Sequence, residues 1–298
     1  MRVARPLLAL CTALLLASCG GSDETDPDLV FVSTRDGDYA IYAVSASGGE
    51  ERRLADAEGD PSTPQGLFFQ AEPAWSPDGG TIAFVSKRNG TFDLFAMSAD
   101  GSGTRSLTST KEDDGQPAWS PDGDRIVFAR GASSRLYVMD ADGSGARRVT
   151  DEEVDEGDPA WSPDGRWIAY VRKAPGSSIR ELWLVRPDGS QRRALTKLDG
   201  LAQGPAWSPD GKQLVFSANV DGKGFDLYTI GADGKGMKLV TSRDDSFEPA
   251  WSPDGRTIAF SEGGAIQTID VENGDERRLT DPENNDSSPA WAPRDDSG

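Results

Sequence analysis

Short runs of apolar and β-branched residues, separated by polar turns, recur along most of the chain. The clearest examples are TIAFVS at 81–86 and DLFAM at 93–97, which are apolar on both alternating sets of side chains. A strand covered on one face only would alternate apolar and polar residues, so these strands are predicted to be covered on both faces. The pattern favours an all-β fold of stacked sheets and disfavours an α/β enzyme fold.

A seven-residue motif, PAWSPDG, divides the chain into repeats. The motif and its final variant, PAWAPRD, begin at Pro73, Pro117, Pro159, Pro205, Pro249 and Pro289. The spacings are 44, 42, 46, 44 and 40 residues. Such a period is typical of a four-stranded propeller blade. Within most repeats an Asp-Gly pair marks a hairpin between the third and fourth predicted strands.

The two ends of the chain each contain part of a repeat. The first unit, from Leu29, has strands but no preceding PAW, and the last PAW, at Pro289, has no strands after it. We therefore predict a six-bladed β-propeller of four-stranded antiparallel blades over residues 29–298, closed by pairing of the N-terminal strands with the C-terminal PAW strand. An unclosed array of five blades is the alternative.

The N-terminal residues are typical of an export signal. Arg2 and Arg5 precede an apolar run at 7–17, which is about half the roughly 20 residues of a spanning helix. Leu-Ala-Ser-Cys at 16–19 resembles the bacterial lipobox. This resemblance implies a signal peptide at 1–18, lipidation of Cys19 and a flexible tether at 19–28. The alternative is an ordinary signal peptide with a chance cysteine.

The repeated pattern PAWSPDG-x-x-IAF-x-S, followed by an Asp-Gly turn, resembles the PD40, or TolB-like, propeller repeat. The resemblance covers Leu29 to about Pro293. It implies a propeller of the bacterial envelope, because TolB works in the Tol-Pal system. TolB also carries an α/β domain before its propeller, and the short stretch from Cys19 to Leu29 does not accommodate one.

Charge and composition exclude several functions. Acidic residues outnumber basic ones by 50 to 31, giving a net charge of −19, and such a surface repels nucleic acid. The chain has no histidine, so neither a Ser-His-Asp triad nor a histidine-ligated zinc site can form. We expect the motif tryptophans to pack between blades and the motif aspartates to cap turns, without a sugar platform or a calcium loop.

The residue before each PAW varies between repeats, and we call these six the pre-PAW residues: Glu72, Gln116, Asp158, Gly204, Glu248 and Ser288. The family resemblance implies that they converge near one mouth of a central channel. Glu72, Gln116, Asp158 and Glu248 are our candidate binding residues, for a hard cation such as Ca²⁺ or for a basic partner. A solvated acidic rim is the alternative.

A second candidate contact is the aromatic pair Phe68 and Phe69, within the polar segment 61–70. It predicts either a partner-binding loop or a plug on the propeller surface.

Together these features favour a monomeric, non-enzymatic protein-interaction module without a cofactor, which binds an envelope protein. It would be exported and lipid-anchored on the outer face of the cytoplasmic membrane, or in the periplasm or outer membrane. Two alternatives stay open. One is a metal-dependent lactonase or lyase that uses Glu72, Asp158 and Glu248, and the other is a small-ligand or glycan sensor.

Overall fold

A computed structural model describes residues 28–56, 71–152, 154–173, 176–220 and 222–294. Within these ranges the chain forms short strands joined by turns, together with one 3-10 helix at Pro282–Asn284. No described helix has the length and apolar character needed to cross a bilayer. Cys19, Phe68 and Phe69 lie outside the described residues.

The strands follow the sequence repeats, which we number as six units. The first unit contains β1 (Leu29–Ser33), β2 (Ala40–Val44) and β3 (Arg52–Asp56). The second contains β4 (Ala74–Trp75), β5 (Thr81–Ser86), β6 (Asp93–Ser98) and β7 (Arg105–Ser106). The third contains β8 (Asp114–Trp119), β9 (Arg125–Arg130), β10 (Arg135–Asp140) and β11 (Arg147–Arg148).

The remaining units have the same strand order. The fourth contains β12 (Glu156–Trp161), β13 (Ile168–Lys173), β14 (Arg180–Val185) and β15 (Arg193–Ala194). The fifth contains β16 (Leu201–Trp207), β17 (Gln213–Asn219), β18 (Asp226–Gly231) and β19 (Lys238–Leu239). The sixth contains β20 (Ser246–Trp251), β21 (Thr257–Glu262), β22 (Ala265–Asp270) and β23 (Glu276–Arg278), and the last PAW forms β24 (Ser287–Trp291).

Hydrogen bonding groups the described strands into five sheets, four of which are separate four-stranded blades. The fifth sheet has eight strands, because one parallel pair, Arg180 of β14 with Leu201 of β16, links the fourth and fifth units. The Arg180 N–H also donates to the Gly200 carbonyl at 3.1 Å. The prediction of six four-stranded antiparallel blades was therefore wrong for the fourth and fifth units. They share one sheet, because the segment entering β16 lies close enough to β14 to continue its hydrogen bonding.

The last described strand lies beside the first. β24 pairs antiparallel with β1, with Leu29 opposite Trp291 and Val30 opposite Ala290. The Ala292 N–H donates to the Asp28 carbonyl at 2.8 Å and extends the ladder by one bond. This blade has the order β24-β1-β2-β3, so its innermost strand comes from the opposite end of the chain.

The apolar strands are buried on both faces, as their sequence pattern predicts. All five residues of β1 and of β2 are buried, and so are five of the six in β5. The buried residues form six apolar clusters, each drawn from two units. One of these clusters packs Leu29 and Phe31 of the first unit against Ala259 and Ile266 of the sixth. The described residues thus form an all-β propeller in which sheets stack face to face.

The motif tryptophans pack between units, which confirms their predicted role. Trp119 packs against an apolar cluster that includes Ala83 of the preceding unit, and its Nε1 donates to the Ala74 carbonyl at 3.1 Å. An equivalent hydrogen bond, from Trp207 Nε1 to the Ala160 carbonyl, has a length of 3.2 Å. Because each ring covers a neighbouring sheet, the tryptophans are part of the scaffold.

The SPDG aspartates cap turns, as predicted. Asp78 accepts hydrogen bonds from the Ser76 hydroxyl and from the Gly80 N–H, the latter at 3.0 Å. The Ser76 oxygen in turn accepts from the Thr81 N–H at 2.9 Å. The hydrogen bonds from Ser76 and Gly80 lower the pKa of Asp78. The motif therefore builds a rigid connection between the first and second strands of a unit.

Candidate binding site at the channel mouth

A cavity of about 990 Å³ opens at one end of the propeller, and we call it the mouth cavity. All six pre-PAW residues line it. Residues at the ends of neighbouring strands, such as Lys173 and Glu262, complete the wall. The structure therefore brings together the predicted candidates Glu72, Gln116, Asp158 and Glu248. The volume is within the range of known ligand sites. Ligand binding by these residues stays a prediction.

Every pre-PAW residue has a left-handed backbone, with φ between 31° at Glu72 and 57° at Gln116 and Gly204. Strand register shifts at the same place in four units, for example between Gly115 and Ala118 of β8. A residue other than glycine in this conformation is strained, and such residues cluster at functional sites and tight bulges. The repeated bulge projects these residues toward the cavity.

The pre-PAW side chains bind the backbone of the next unit. Glu72 Oε2 accepts from the Gln116 N–H at 2.6 Å, and Gln116 Oε1 accepts from the Asp158 N–H at 2.9 Å. Asp158 Oδ2 accepts from the Gly204 N–H at 3.0 Å. We call each such contact a clasp. Three successive clasps thus run from the second unit to the fifth.

The series of clasps is interrupted at Gly204, which has no side chain to offer the sixth unit. It resumes at Glu248, whose Oε2 accepts from the Ser288 N–H at 2.7 Å and from the Ser261 hydroxyl at 2.9 Å. Ser288 Oγ is buried and has no hydrogen-bond partner among the described residues. The ring of pre-PAW residues is therefore not uniform, because Gly204 and Ser288 stand where the other four units have a carboxylate or an amide side chain.

Burial raises the pKa of Glu72 well above its ordinary value, and the carboxylates of Asp158 and Glu248 add to this effect. The Gln116 N–H opposes the shift by stabilising the ionised form. Burial also raises the pKa of Asp158, against hydrogen bonds from Gly204 and Gln116 and the charge of Arg180. Glu72 is thus a carboxyl group that holds its proton to a higher pH than an exposed glutamate.

Acidic side chains outnumber basic ones on the described walls of the mouth cavity. The acids are Glu72, Asp158, Asp245, Glu248, Glu262 and Asp286, and the bases are Lys173 and Arg180. Both bases come from the fourth unit, where Lys173 Nζ lies 3.3 Å from Asp155 Oδ2. A cavity with this balance attracts cationic groups.

The described carboxylates form no cluster of three or more that could share one metal ion. Glu72, Asp158 and Glu248 lie in three different units, and each of them already accepts a backbone N–H. A calcium ion in the channel therefore stays a prediction without support from a ligand cluster in the described ranges.

Several cavity residues were not predicted from the sequence. Phe225 and Phe247 both line the cavity, with ring centroids 5.2 Å apart. Leu201, Lys173 and Arg180 also contribute to the wall. One signal was available for Phe247: it is the only aromatic residue among those that directly precede a pre-PAW residue, which are otherwise Ala71, Gly115, Gly157, Gln203 and Ser287.

The repeated blades and their mouth cavity define a β-propeller with a binding site at one end. Residues 65–179 and 135–297 match the family described as TolB beta propeller domain, PD40. The two matches overlap and together span most of the chain, so this chain belongs to that family. The family resemblance seen in the repeats is thereby confirmed.

A curated relative is the Tol-Pal system protein TolB of Syntrophus aciditrophicus (strain SB), which is 34% identical over 91 residues. The aligned stretch makes up 30% of this chain but 19% of that protein. The chain thus matches about a fifth of the relative's length.

Among solved structures, TolB from Acinetobacter baumannii has a TM-score of 0.75 at 21% identity, covering 91% of this chain and 68% of that one. An oligogalacturonate lyase in complex with manganese has a TM-score of 0.59 at 17% identity, covering 85% of this chain and 74% of that one. At such identities the likeness shows the fold alone. Because TolB and an oligogalacturonate lyase share this fold, function has to be argued from the site.

Proposed function

We propose that this chain is a non-enzymatic protein-interaction module of a bacterial cell envelope, which receives a partner protein at its mouth cavity. The observation that carries the proposal is the use of the pre-PAW side chains as clasps. Glu72 and Asp158 each accept a backbone N–H of the next unit. Carboxylates held in this way support a rigid, preformed surface, which lowers the cost of binding a partner.

The same contacts give these residues a structural role. The carboxylates of Glu72 and Asp158 bind the backbone of the neighbouring unit, and the sequence has no histidine to act as an imidazole base. Binding is therefore the use that this arrangement favours.

The architecture that presents the cavity is, in our proposal, a closed ring of six blades. The eight-stranded sheet then acts as two blades, because a single parallel residue pair joins its halves. Closure is supported by the β24–β1 pairing and by Pro293, whose Cγ lies 3.5 Å from the position of a side chain at Gly79. The Arg277 guanidinium of the sixth unit also donates to the Ser47 carbonyl of the first.

Similarity to the Tol-Pal system protein TolB supports an envelope setting for this function. We propose that the chain is exported through the segment at 1–18 and anchored to a membrane by lipid on Cys19, through the tether at 19–28. Two or more acyl chains give lasting attachment, since each buried methylene contributes about 0.8 kcal/mol. The propeller would then act as a monomer held near membrane-associated partners.

Site-specific photo-cross-linking in intact cells tests the interaction. A photoreactive residue at Gln203, on the cavity wall, should yield a discrete cross-linked protein. The matched control is Lys235, an exposed residue in the Asp233-Gly234 hairpin at the other end of the fifth unit. Equal products from both positions, or none from Gln203, would contradict an interaction at the mouth.

The two other functions left open by the sequence predict different results. A metal-dependent lactonase or lyase would retain near-stoichiometric metal that is lost in Glu72→Gln. A glycan sensor would bind a carbohydrate panel without metal. Either result, obtained without a cross-link at Gln203, would replace the interaction proposal.

A further inference from the structure

Gly204 leaves a gap in the ring of pre-PAW residues. A side chain at this position would start 3.6 Å from Pro249 Cδ and 3.7 Å from Glu248 Cα, in the space where the other units place a clasp. The φ of Gly204 is 57°, the same as that of Gln116, so the backbone itself does not require glycine here. The missing side chain widens the mouth cavity between the fifth and sixth units.

An aromatic pair drawn from the fifth and sixth units lines the same cavity. Phe247 directly precedes Glu248 on β20, and Phe225 directly precedes β18. Both rings are half-buried and tilted by 43° relative to each other. Leu201 of the fifth unit lines the same cavity, whose wall otherwise combines prolines with charged and polar side chains. We call Leu201, Phe225 and Phe247 the aromatic corner.

Carboxylates surround the aromatic corner. Asp245 pairs with Phe225 through an isolated backbone bridge, and Glu248 follows Phe247 directly. Asp245 Oδ2 accepts from the Gly263 N–H at 3.1 Å, which holds its charge at the mouth. Glu262 lines the same side and pairs with Arg243 at 3.4 Å. The two basic residues of the wall, Lys173 and Arg180, belong to the fourth unit.

We propose that the mouth cavity binds a partner segment in which a large apolar side chain is flanked by lysine or arginine. The apolar side chain packs on the aromatic corner in the space left by Gly204, and the flanking cations meet Asp245 and Glu248. This inference rests on the proposed interaction function and names the chemistry of the partner. Desolvated aromatic anchors with charged residues at the rim are the usual source of binding energy at protein interfaces.

Isothermal titration of the full-length chain in detergent tests the chemistry with three acetylated, amidated peptides. Their cores are Lys-Phe-Lys, Lys-Ala-Lys and Glu-Phe-Glu, each flanked by glycines. We expect the Lys-Phe-Lys peptide to bind at least roughly tenfold more tightly than either of the others. Equal affinity for Lys-Phe-Lys and Lys-Ala-Lys would overturn the apolar anchor, and equal affinity for Glu-Phe-Glu would overturn the cationic flanks.

Two substitutions locate the site on the protein. Gly204→Gln copies Gln116, fills the gap and offers the missing clasp, so it should weaken Lys-Phe-Lys binding roughly tenfold. A cooperative thermal melting transition shows that the variant is folded. Phe247→Ala should weaken binding to a similar extent. Phe92→Ala is the matched control, because Phe92 occupies in the second unit the position of Phe225 and is not among the cavity-lining residues. Unchanged binding in a folded Gly204→Gln variant would contradict the proposal.

The result separates this inference from the function on which it rests. If the cross-link at Gln203 forms but the peptides are not discriminated, the interaction function stands and the aromatic corner is not its anchor. If neither the cross-link nor peptide binding is seen, both proposals fail.

Discussion

Arg35 donates from Nη2 to both carboxylate oxygens of Asp286, at 3.0 Å each, and so joins residues that are 251 positions apart in the sequence. The Asp286 side chain is fully buried, and Arg35 also pairs with Glu51. The buried Asp286 carboxylate needs the Arg35 guanidinium to stabilise its charge, because an unpaired ion in the protein interior is strongly unfavourable.

We expect Asp286→Asn to lower the free energy of unfolding by about 2 kcal/mol, because it removes a charged acceptor of two hydrogen bonds. Urea unfolding of the whole chain measures the effect. Asp56→Ala is the control, since Asp56 pairs with Arg53 at the exposed surface, where an ion pair contributes less than about 0.5 kcal/mol. A change in Asp286→Asn no larger than in this control would argue against a closed ring.

Two tryptophans differ in one hydrogen bond. Trp119 Nε1 donates to the Ala74 carbonyl, whereas Trp75 Nε1 is buried and has no hydrogen-bond partner among the described residues. Both rings pack against a neighbouring unit. Trp119→Phe should therefore lower the free energy of unfolding by about 1 kcal/mol more than Trp75→Phe. If chemical denaturation shows equal decreases in the free energy of unfolding for the two variants, the indole hydrogen bond does not stabilise the packing of the blades.

Glu72 should make stability depend on pH. Its pKa is raised in the folded chain, so between its ordinary value of 4.5 and the folded value the native state binds more protons than the unfolded state. The free energy of unfolding therefore falls as pH rises through this range. Glu72→Gln keeps an acceptor for the Gln116 N–H but removes the titration. The variant should thus gain stability relative to the parent chain as pH rises above 4.5.

Asp78→Asn provides a control of opposite sign. The pKa of Asp78 is lowered below its ordinary value of 3.8, so this group adds stability above that pH and loses it as pH falls through the folded value. Urea midpoints measured from acidic to neutral pH check both variants. A parallel pH profile for the parent chain and Glu72→Gln would show that Glu72 is not shifted.

Cys19→Ser should abolish incorporation of radiolabelled palmitate and release the protein from membranes, because the thiol is the acceptor of the lipid in a lipobox. Cys11→Ser is the matched control. Cys11 lies in the predicted signal peptide, so this substitution should leave palmitate incorporation and membrane attachment unchanged. Labelling that persists in Cys19→Ser would defeat the lipoprotein proposal.

Much of the fold could be predicted from the sequence, because the repeat specifies local structure many times over. Apolar runs predicted the strands, and Ser-Pro-Asp-Gly predicted turns such as the one at 76–79. The fixed position of the tryptophans predicted contacts such as that of Trp119 with the preceding unit. The link between Arg180 and Leu201 was not predictable, since it depends on the path of the chain between two units.

The candidate site was predicted only in part. Convergence of Glu72, Gln116, Asp158 and Glu248 followed from the repeat and the family resemblance. The clasps could not be predicted in this way, because they require a left-handed backbone at residues such as Glu72 and Gln116, which have no special preference for it. The aromatic corner depends on side chains from two units that are distant in sequence, Leu201 and Phe247.

Hydrogen-deuterium exchange of the full-length chain, with and without the partner captured at Gln203, tests the central claim most directly. We predict that the partner slows exchange at the mouth, in peptides that cover 201–204, 225–226 and 245–248, and leaves the SPDG turns at the other end unchanged. Protection confined to the SPDG turns, or no protection at the mouth, would contradict a partner-binding role for this cavity.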